Sequence, residues 1–209
     1  EHSENTQMLL KHLDIAVQAA AEQGANQSAV YDSVLHEKAI RRQAIARYLQ
    51  TALEKNELEV CYRPTYNLKE KRFTRADSYM RIFIQGIGLV GAAEFIPIAE
   101  DSGQIRAVGY YALEHAGQFI HELIQAKKDF ESICIPVSPI LLVQEDFLDQ
   151  VNNILDRYEI PEGKLALELD DEALSSVYIN VNVIMQELSS MGVELVLNHF
   201  GSGCAPVTS

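Results

Sequence analysis

The 209 residues suffice for one large domain, and a hydrophobic content of 47% is enough to build a substantial core. A formal net charge of −13 and a pI near 4.8 argue against a broad surface for nucleic acid or anionic membrane. The three cysteines are scattered, fit neither a zinc motif nor a disulfide framework, and suit a reducing compartment. We therefore expect a cytoplasmic domain that does not bind nucleic acid directly.

The first part of the chain predicts two helices joined by a short extended segment. Apolar residues recur at helical spacing from Thr6 to Gln23. The stretch from Ser28 to Tyr31 indicates a short strand. A second long helix is predicted from about Val34 to Leu53, with Asp32 or Ser33 placed to cap it.

The pattern then changes to strands. Leu58 to Tyr66 and Phe73 to Ile84 alternate or run apolar on either side of a polar turn, which predicts a hairpin. The glycine-rich stretch that follows, with Gly86, Gly88 and Gly91, is predicted to be a loop.

Helices and strands alternate through the rest of the chain. The predicted helices are Ile105 to Leu123, Phe147 to Tyr158 and Val181 to Met191, and the predicted strands are Ile133 to Val137, Leu165 to Leu169 and Val193 to Leu197. Strands that recur every ~30 residues with helices between them indicate a parallel sheet or barrel. Because a (β/α)₈ barrel takes ~250 residues, we predict an α/β barrel that is incomplete at its C-terminus.

The stretch from Glu94 to Ile105, EFIPIAEDSGQI, carries the most specific motif of the chain. It resembles the EFIPLAExSGxI signature of EAL domains, the cyclic di-GMP phosphodiesterase family. Other landmarks lie in the family's order: Val60–Pro64 resembles the YQP strand, Ala76–Arg81 occupies the place of EALxR, Glu168–Asp171 resembles ELTE, and Asn198–Gly203 resembles DDFGTG. The resemblance implies a modified TIM barrel whose first strand runs antiparallel to the others.

The start of the chain is similar to the last helix of a GGDEF domain, a bacterial signalling domain that commonly precedes EAL. Leu13–Ala20 followed by Gly24–Asn26 resembles the pattern ADxAMYxAKxxGxN, although an ordinary alanine-rich helix stays open. The resemblance implies that residues 1–32 are the tail of a GGDEF-like domain or a linker helix, and that residues 33–209 are an EAL-like barrel. Since the chain begins at Glu1, we expect a fragment of a tandem protein, and an inner-membrane anchor in that parent stays open.

The resemblance also assigns the family's metal-binding positions to Asp77, Pro136, Glu168, Asn198 and His199. An EAL enzyme is expected to hold two Mg²⁺ or Mn²⁺ ions through oxygen ligands, which activate a water molecule and neutralise the phosphate. Here Asp77 is one methylene shorter than glutamate, Pro136 has no side-chain oxygen, and Asn198 and His199 replace paired aspartates. We therefore predict no catalytic residues, no bound metal and no cofactor. His199 is expected to be a surface or hydrogen-bonded residue, and zinc binding is the alternative.

Binding of cyclic di-GMP without hydrolysis stays open, because some degenerate EAL domains are receptors. Arg81 matches the arginine with which the family contacts phosphate, and Arg63 replaces the glutamine of the YQP motif. Together with Asp77 and Glu168 they form a vestigial ligand-binding set. A buried ion pair between Arg81 and either Glu168 or Asp77 is the alternative for that arginine.

These motifs lead to three hypotheses for function. The first is a catalytically inactive signalling module that acts through protein–protein contacts in a tandem GGDEF–EAL regulator. Degenerate members of this kind include a regulator of regulatory-RNA turnover whose EAL domain docks a protein, and this chain resembles it in the extent of its substitutions. The second is a cyclic di-GMP receptor, and the third is a weak phosphodiesterase. The protein partner is not identified by the sequence, and a homodimer stays open.

Overall fold

The structure, a computed structural model, describes residues 6–22, 24, 26–170 and 181–199. It divides into two compact units, residues 1–48 and 49–209. The elements in chain order are α1 (Thr6–Glu22), α2 (Ser33–Glu54), β1 (Glu59–Asn67), β2 (Arg72–Ile84), β3 (Gly88–Gly91), α3 (Ala92–Asp101), α4 (Ile105–Gln125), β4 (Ser132–Pro136), α5 (Pro139–Leu142), α6 (Phe147–Arg157), β5 (Leu165–Asp170), α7 (Val181–Ser190) and β6 (Glu194–Asn198). Among the described residues, no helix combines the length and the apolar character that a membrane span needs.

In the first unit the two predicted helices are confirmed, and the short strand between them is wrong. Residues 27–32 have no regular secondary structure. Tyr31 is held instead by its side chain: its ring stacks on His12 of α1 at a centroid distance of 3.9 Å, and its hydroxyl lies 2.6 Å from Nδ1 of His36 in α2. The apolar run before Tyr31 has no partner strand here, and a strand without a ladder partner is not stable.

The cap of α2 is the predicted one. The Oδ1 atom of Asp32 accepts a hydrogen bond from the backbone N–H of Leu35 at 2.8 Å. One of the N–H groups that a helix leaves unpaired at its start is thereby satisfied. The helix therefore begins at Ser33, directly after its capping residue.

The second unit is built on one sheet with the strand order β1-β2-β4-β5-β6, and β3 pairs with β2 outside that path. The pair β1–β2 is antiparallel, whereas β2–β4, β4–β5 and β5–β6 are parallel. The predicted α/β fold with an antiparallel first strand is thus confirmed. Across the described residues the sheet is open.

The glycine-rich stretch after β2 is only partly the predicted loop. Gly86 and Gly88 adopt φ values of +84° and +94°, which only glycine takes up at low cost, and they reverse the chain. The strand β3 follows at once, with Leu89 opposite Phe83 and Val90 opposite Ile82. Val90 is fully buried, and this burial explains why so short a segment pairs as a strand.

The side chains of β2 alternate between the two faces of the sheet. Its buried residues alternate along the strand and are Thr74, Ala76, Ser78, Met80, Ile82 and Ile84. The opposite face carries the residues between them, from Arg75 and Asp77 onward, because successive strand side chains point to opposite sides. Aligned residues share a face, so this second face continues through Cys134 and Glu194. We call the face that carries Arg75, Asp77, Cys134 and Glu194 the polar face.

Helix α4 covers part of the sheet with the apolar side that its periodicity predicts. Val108, Ala112 and Ala116 are among its buried residues. At Gly117 a Cβ atom would lie 2.8 Å from Cγ2 of Ile154 in α6, so the two helices approach too closely for any other residue there without a shift. This close packing fixes the helix layer over the parallel strands.

Candidate functional site

Most of the residues that the resemblance assigns to the family's metal-binding positions lie at the carboxyl ends of the parallel strands. This is the edge at which α/β barrels carry their active sites. Pro136 ends β4, Asn198 ends β6, and Glu168 lies near the end of β5. Pro136 aligns with Glu168, and Asp170 aligns with Asn198. The fold therefore brings three residues to the ends of neighbouring strands: Pro136 at the family's asparagine position, Glu168 of the ELTE-like motif and Asn198 of the DDFGTG-like motif.

Asp77 lies deeper in the sheet than the other positions. It aligns with Cys134, two residues before Pro136, and β4 separates its strand from β5. Neighbouring strands are about 4.8 Å apart, so Asp77 lies two strand spacings from the strand that carries Glu168. It shares the polar face with Glu168 but is not beside it.

Hydrogen bonds between side chains join the ends of β5 and β6. The Nδ2 atom of Asn198 donates to Oε1 of Glu168 at 2.8 Å, and Nδ1 of His199 lies 2.8 Å from Oδ2 of Asp170. The backbone N–H of His199 also donates to Oδ1 of Asn198 at 2.9 Å, which accompanies a left-handed φ of +52° at His199. We call Glu168, Asp170, Asn198 and His199 the strand-end bridge.

The bridge includes one residue that the sequence reasoning missed. Asp170 pairs with His199, whose side chain is 64% exposed, so His199 is a surface residue with a hydrogen-bonded partner. Asp170 stands two residues after Glu168 on the same strand. The period of two along a strand puts both acids on one face, and this spacing could have identified Asp170.

The donor set at these strand ends can be compared with what two hard dications need. Mg²⁺ requires oxygen ligands in near-octahedral geometry. The Pro136 side chain carries no donor atom, and the Asn198 amide directs an N–H group at Glu168. Within the part of the chain that the structure describes, no group of three or more His, Cys, Asp or Glu side chains is placed to hold a metal ion.

Arg81 makes an ion pair with a residue that the sequence reasoning did not name. Its Nε atom donates to Oε2 of Glu59 at 2.6 Å, and both side chains are substantially exposed. The alternative of a buried ion pair with Glu168 or Asp77 is therefore wrong. The hairpin register explains the difference, because Glu59 lies directly opposite Arg81 while Asp77 is further along the strand.

Arg63 lies on the same face of the hairpin, opposite Asp77 in the β1–β2 register. Its guanidinium carbon is 5.7 Å from the ring centroid of Tyr79, a geometry that allows a weak cation–π attraction. Arg63 and Tyr79 are both exposed, so the guanidinium is accessible from solvent. Arg63 of the YQP-like motif and Tyr79 of the EALxR-like motif therefore lie against each other.

A cavity of about 410 Å³ lies next to these strand ends, between the sheet and the helices α3 and α4. Its walls are mostly apolar, and Tyr79, Pro136 and Asp170 line the side nearest the polar face. On the helix side, Oγ of Ser138 donates to Oε1 of Glu100 at 2.6 Å. No motif in the sequence pointed to this cavity, because it results from how the helices pack on the sheet.

Comparison with known proteins gives a consistent family relationship. The pattern that defines the EAL domain matches residues 46–209. The bifunctional diguanylate cyclase/cyclic di-GMP phosphodiesterase MucR of Pseudomonas aeruginosa is 25% identical over 195 residues, which are 93% of this chain and 28% of MucR. The chain spans less than a third of the length of curated relatives that it matches.

Solved structures give the same relationship. The PaMucR phosphodiesterase in complex with c-di-GMP superposes with a TM-score of 0.71 at 25% identity, over 77% of this chain and 65% of that one. The FimX EAL domain from Pseudomonas aeruginosa bound to c-di-GMP shares the fold, with a TM-score of 0.67 at 18% identity over 78% of this chain and 64% of that one. Because the EAL pattern covers most of its length, the chain belongs to the EAL domain family of cyclic di-GMP signalling proteins.

Proposed function

We propose that this chain is a catalytically inactive EAL-domain signalling module that acts through protein–protein contacts. The observation that supports this most is the 2.8 Å hydrogen bond from the Asn198 amide to Glu168. In a two-metal site that carboxylate would be directed at a cation. Here it accepts an N–H, and a separation of 2.8 Å leaves no space for an ion between the two groups.

Electrostatics supports the same proposal. Two-metal sites hold their ions about 3.5–4 Å apart, and bridging carboxylates must offset the repulsion between them. At the family's metal positions only Asp77 and Glu168 remain carboxylates, and they lie on strands that β4 separates. Asn198 and His199 supply no compensating negative charge. We therefore propose that neither a pair of Mg²⁺ ions nor a pair of Mn²⁺ ions is held here.

In this proposal residues 1–32 are the tail of a preceding GGDEF-like domain and residues 33–209 are the EAL-like domain of a tandem regulator. The signal passes to a protein partner and not to a hydrolysed nucleotide. A substantial exposed apolar surface is consistent with such a role, since Phe73, Phe83 and Leu89 of β2 and β3 are each more than half exposed.

The direct test is turnover of cyclic di-GMP by the full chain with Mn²⁺ or Mg²⁺, followed by chromatography of the linear product. We expect no product above the protein-free blank. The matched control is Glu168→Gln, which removes the last family carboxylate at the strand ends. Turnover by the unsubstituted chain that Glu168→Gln abolishes would overturn the proposal of inactivity.

A second candidate function is a cyclic di-GMP receptor that binds without hydrolysis. The exposed Arg63 guanidinium over Tyr79 favours it, because a cation beside an aromatic ring suits both phosphate and a guanine base. The solved PaMucR and FimX relatives are complexes with c-di-GMP. In this candidate Asp77, Arg81 and Glu168 complete the ligand-binding set.

Calorimetry with cyclic di-GMP separates the two candidates. A Kd on the order of micromolar that is lost in Arg63→Ala and in Arg81→Ala would support the receptor. The Arg72→Ala variant is the control, since Arg72 is paired with Glu70 at the far end of the hairpin. No heat of binding at a ligand concentration of several hundred times that Kd would support the interaction module.

A further inference from the structure

We infer that the amino end of the sheet carries a docking surface for an acidic, partly apolar segment of a protein partner. The surface is formed by the turn between β1 and β2 and by the loop before β4. We call it the basic surface, and its residues are Leu68, Lys69, Lys71, Lys127 and Lys128. The inference rests on the proposed function, because it names a surface and a class of partner for the protein–protein contacts of the signalling module.

Arg72 joins the two segments of the basic surface. Its guanidinium donates to the backbone carbonyl of Asp129 at 3.0 Å and lies 3.1 Å from Oδ2 of the same residue. It also pairs with Glu70 in the turn at 2.6 Å. Because Arg72 contacts both the turn and the loop, the lysines of the two segments lie at the same end of the sheet.

Local hydrogen bonds hold the backbone of both segments. In the turn, Oδ1 of Asn67 accepts from the N–H groups of Lys69 and Glu70 at 3.0 and 3.2 Å. In the loop, the N–H groups of Lys127 and Lys128 each donate at 2.9 Å to carbonyl oxygens in the last turn of α4. Both segments are therefore ordered before a partner arrives, which reduces the entropy that binding costs.

The acids beside these segments are already paired, whereas the lysines are not. Arg72 pairs with Glu70 and Asp129, and Arg75 pairs with two further glutamates. All four lysine side chains are exposed, and none has an ion-pair partner among the described residues. Around the two segments six cations thus face four acids, in a chain whose formal net charge is −13. The lysines are the charges that remain available to a partner.

Leu68 adds an apolar side chain to the basic surface. It is 83% exposed and lies in the same turn as Lys69 and Lys71. One exposed leucine is ordinary by itself. Beside uncompensated cations, it favours a partner segment that combines carboxylates with an apolar side chain, because both charge and apolar area are then matched.

A short acidic segment suits this surface better than an anionic membrane does. Exposed charges act over a screening length of ~8 Å at physiological ionic strength. A short segment meets only the basic surface, whereas a membrane plane also faces the rest of a strongly acidic chain. The positive area is bounded as well, since the loop before β5 carries the exposed acids Glu159 and Glu162.

The test measures the binding of a peptide probe to the full chain by fluorescence anisotropy. The probe is a short labelled peptide with a repeated Glu-Glu-Leu sequence, and its matched control repeats Gln-Gln-Leu. We expect a Kd on the order of 100 μM for the acidic peptide at low salt and at least tenfold weaker binding of the control. The affinity for the acidic peptide should fall as salt is added, because the contacts are exposed.

Charge reversals test the two segments separately. The double variant Lys69→Glu with Lys71→Glu changes the turn, and Lys127→Glu with Lys128→Glu changes the loop. Each should weaken binding of the acidic peptide at least tenfold, because two attractive charges become repulsive. Circular dichroism of each variant checks that the fold is kept.

Three further variants provide controls. Lys38→Glu with Lys55→Glu changes the net charge equally at exposed lysines of neither segment and should weaken the peptide less than twofold. Asp129→Asn removes one acid and should tighten binding about threefold, a gain that a folding defect cannot produce. Leu68→Ser should weaken the Glu-Glu-Leu peptide severalfold and leave a Glu-Glu-Ser peptide unchanged.

Several outcomes would overturn the inference. Equal binding of the acidic and the neutral peptide would remove the charge argument, and an equal loss in the Lys38 and Lys55 variant would assign the effect to net charge. Sedimentation of the chain with phosphatidylserine vesicles, without peptide binding, would assign the lysines to a membrane. Turnover of cyclic di-GMP is measured separately. Peptide binding together with turnover would overturn only the proposed inactivity, and the absence of both would overturn only this surface.

Discussion

The two ends of the polar face carry acids in different electrostatic settings. At the amino ends of the strands, Arg75 donates to Glu131 at 2.7 Å and to Glu194 at 3.0 Å. The hydroxyl of Ser132 also donates to Glu194 at 3.0 Å. These contacts connect β2, β4 and β6, and the two acids share one arginine.

At the carboxyl ends the acids meet much weaker donors. Glu168 is bonded to the neutral amide of Asn198, and Asp170 to the imidazole of His199. In barrels of this architecture the amino end contributes stability and the carboxyl end carries chemistry. The arginine-based contacts that join the strands lie at the amino end, so residues at the carboxyl ends can differ without loss of these contacts.

The largest effect is expected from Glu194→Ala at the amino end. Ser132 is only 1% exposed, and the substitution removes the acceptor of its hydroxyl as well as one partner of Arg75. An unsatisfied buried hydroxyl and a lost charged hydrogen bond should lower the free energy of unfolding by about 1–3 kcal/mol. Urea denaturation would measure this loss. Glu194→Gln keeps an acceptor for Ser132 and should recover part of it.

The control for that prediction is Glu59→Ala, which removes the exposed ion pair with Arg81. An exposed pair contributes at most about 1 kcal/mol. If Glu59→Ala destabilised the chain as much as Glu194→Ala, the amino-end contacts would have no special structural role, and the contrast between the two ends would fail.

A smaller effect is expected from Asn198→Asp at the carboxyl end. The 2.8 Å hydrogen bond to Glu168 would become a contact between two carboxylates. Loss of the bond and the new repulsion should lower the free energy of unfolding at neutral pH by about 1 kcal/mol. Asn198→Ala removes the bond without the repulsion, so the difference between the two variants isolates the charge.

Addition of Mn²⁺ sharpens this prediction. The metal should recover stability in Asn198→Asp, where two carboxylates face each other, and should leave the unsubstituted chain unchanged in denaturation curves. Equal stabilisation of both chains would mean that the asparagine does not prevent metal binding. That result would contradict the proposed account of the strand-end bridge.

Local sequence patterns predicted the elements well because their signals lie within a few residues of each other. The apolar side of α4 was predicted from its periodicity, and the hairpin from two alternating runs around a polar turn. The strand predicted from Ser28 to Tyr31 was wrong because a local pattern does not show that the tyrosine contacts two histidines and that no partner strand pairs with the segment. Strand β3 was missed because two of its four residues are glycine.

The partner of Arg81 shows why the site was harder to predict. A register shift between Thr65 and Tyr66 moves the hairpin by one residue. Counted from the turn without this shift, Glu59 would face Met80, on the opposite side of the strand from Arg81. The ion pair therefore depends on a bulge that no sequence pattern announced. The strand-end bridge and the cavity depend in the same way on register and packing between distant segments.

Cys134 lies between the two ends and is sensitive to both. Burial is the largest cause that raises the pKa of its thiol from 9.0 to about 12, and the charges of Glu168, Asp77 and Glu194 contribute to this rise while Arg75 opposes it. The native thiol therefore keeps its proton at pH values at which the unfolded chain has lost it. The resulting stability is fully present below pH 9 and is lost as the pH rises towards 12.

An effect of similar size to that of Asn198→Asp is expected at this thiol. Between pH 7.5 and pH 10 the unsubstituted chain should lose on the order of 1 kcal/mol of unfolding free energy relative to Cys134→Ala. The Cys61→Ala variant is the matched control for removal of a thiol.

The rate of alkylation measures the same thiol directly. Because only the thiolate is alkylated, iodoacetamide should label native Cys134 far more slowly than the unfolded chain. Glu194→Ala removes one raising charge and should speed labelling severalfold, and Asn198→Asp adds a charge and should slow it. Faster labelling in Glu194→Ala together with slower labelling in Asn198→Asp would show that charges at both ends of the polar face act on the thiol at the centre of the sheet. Identical labelling rates in both variants would mean that burial alone controls the pKa of the thiol.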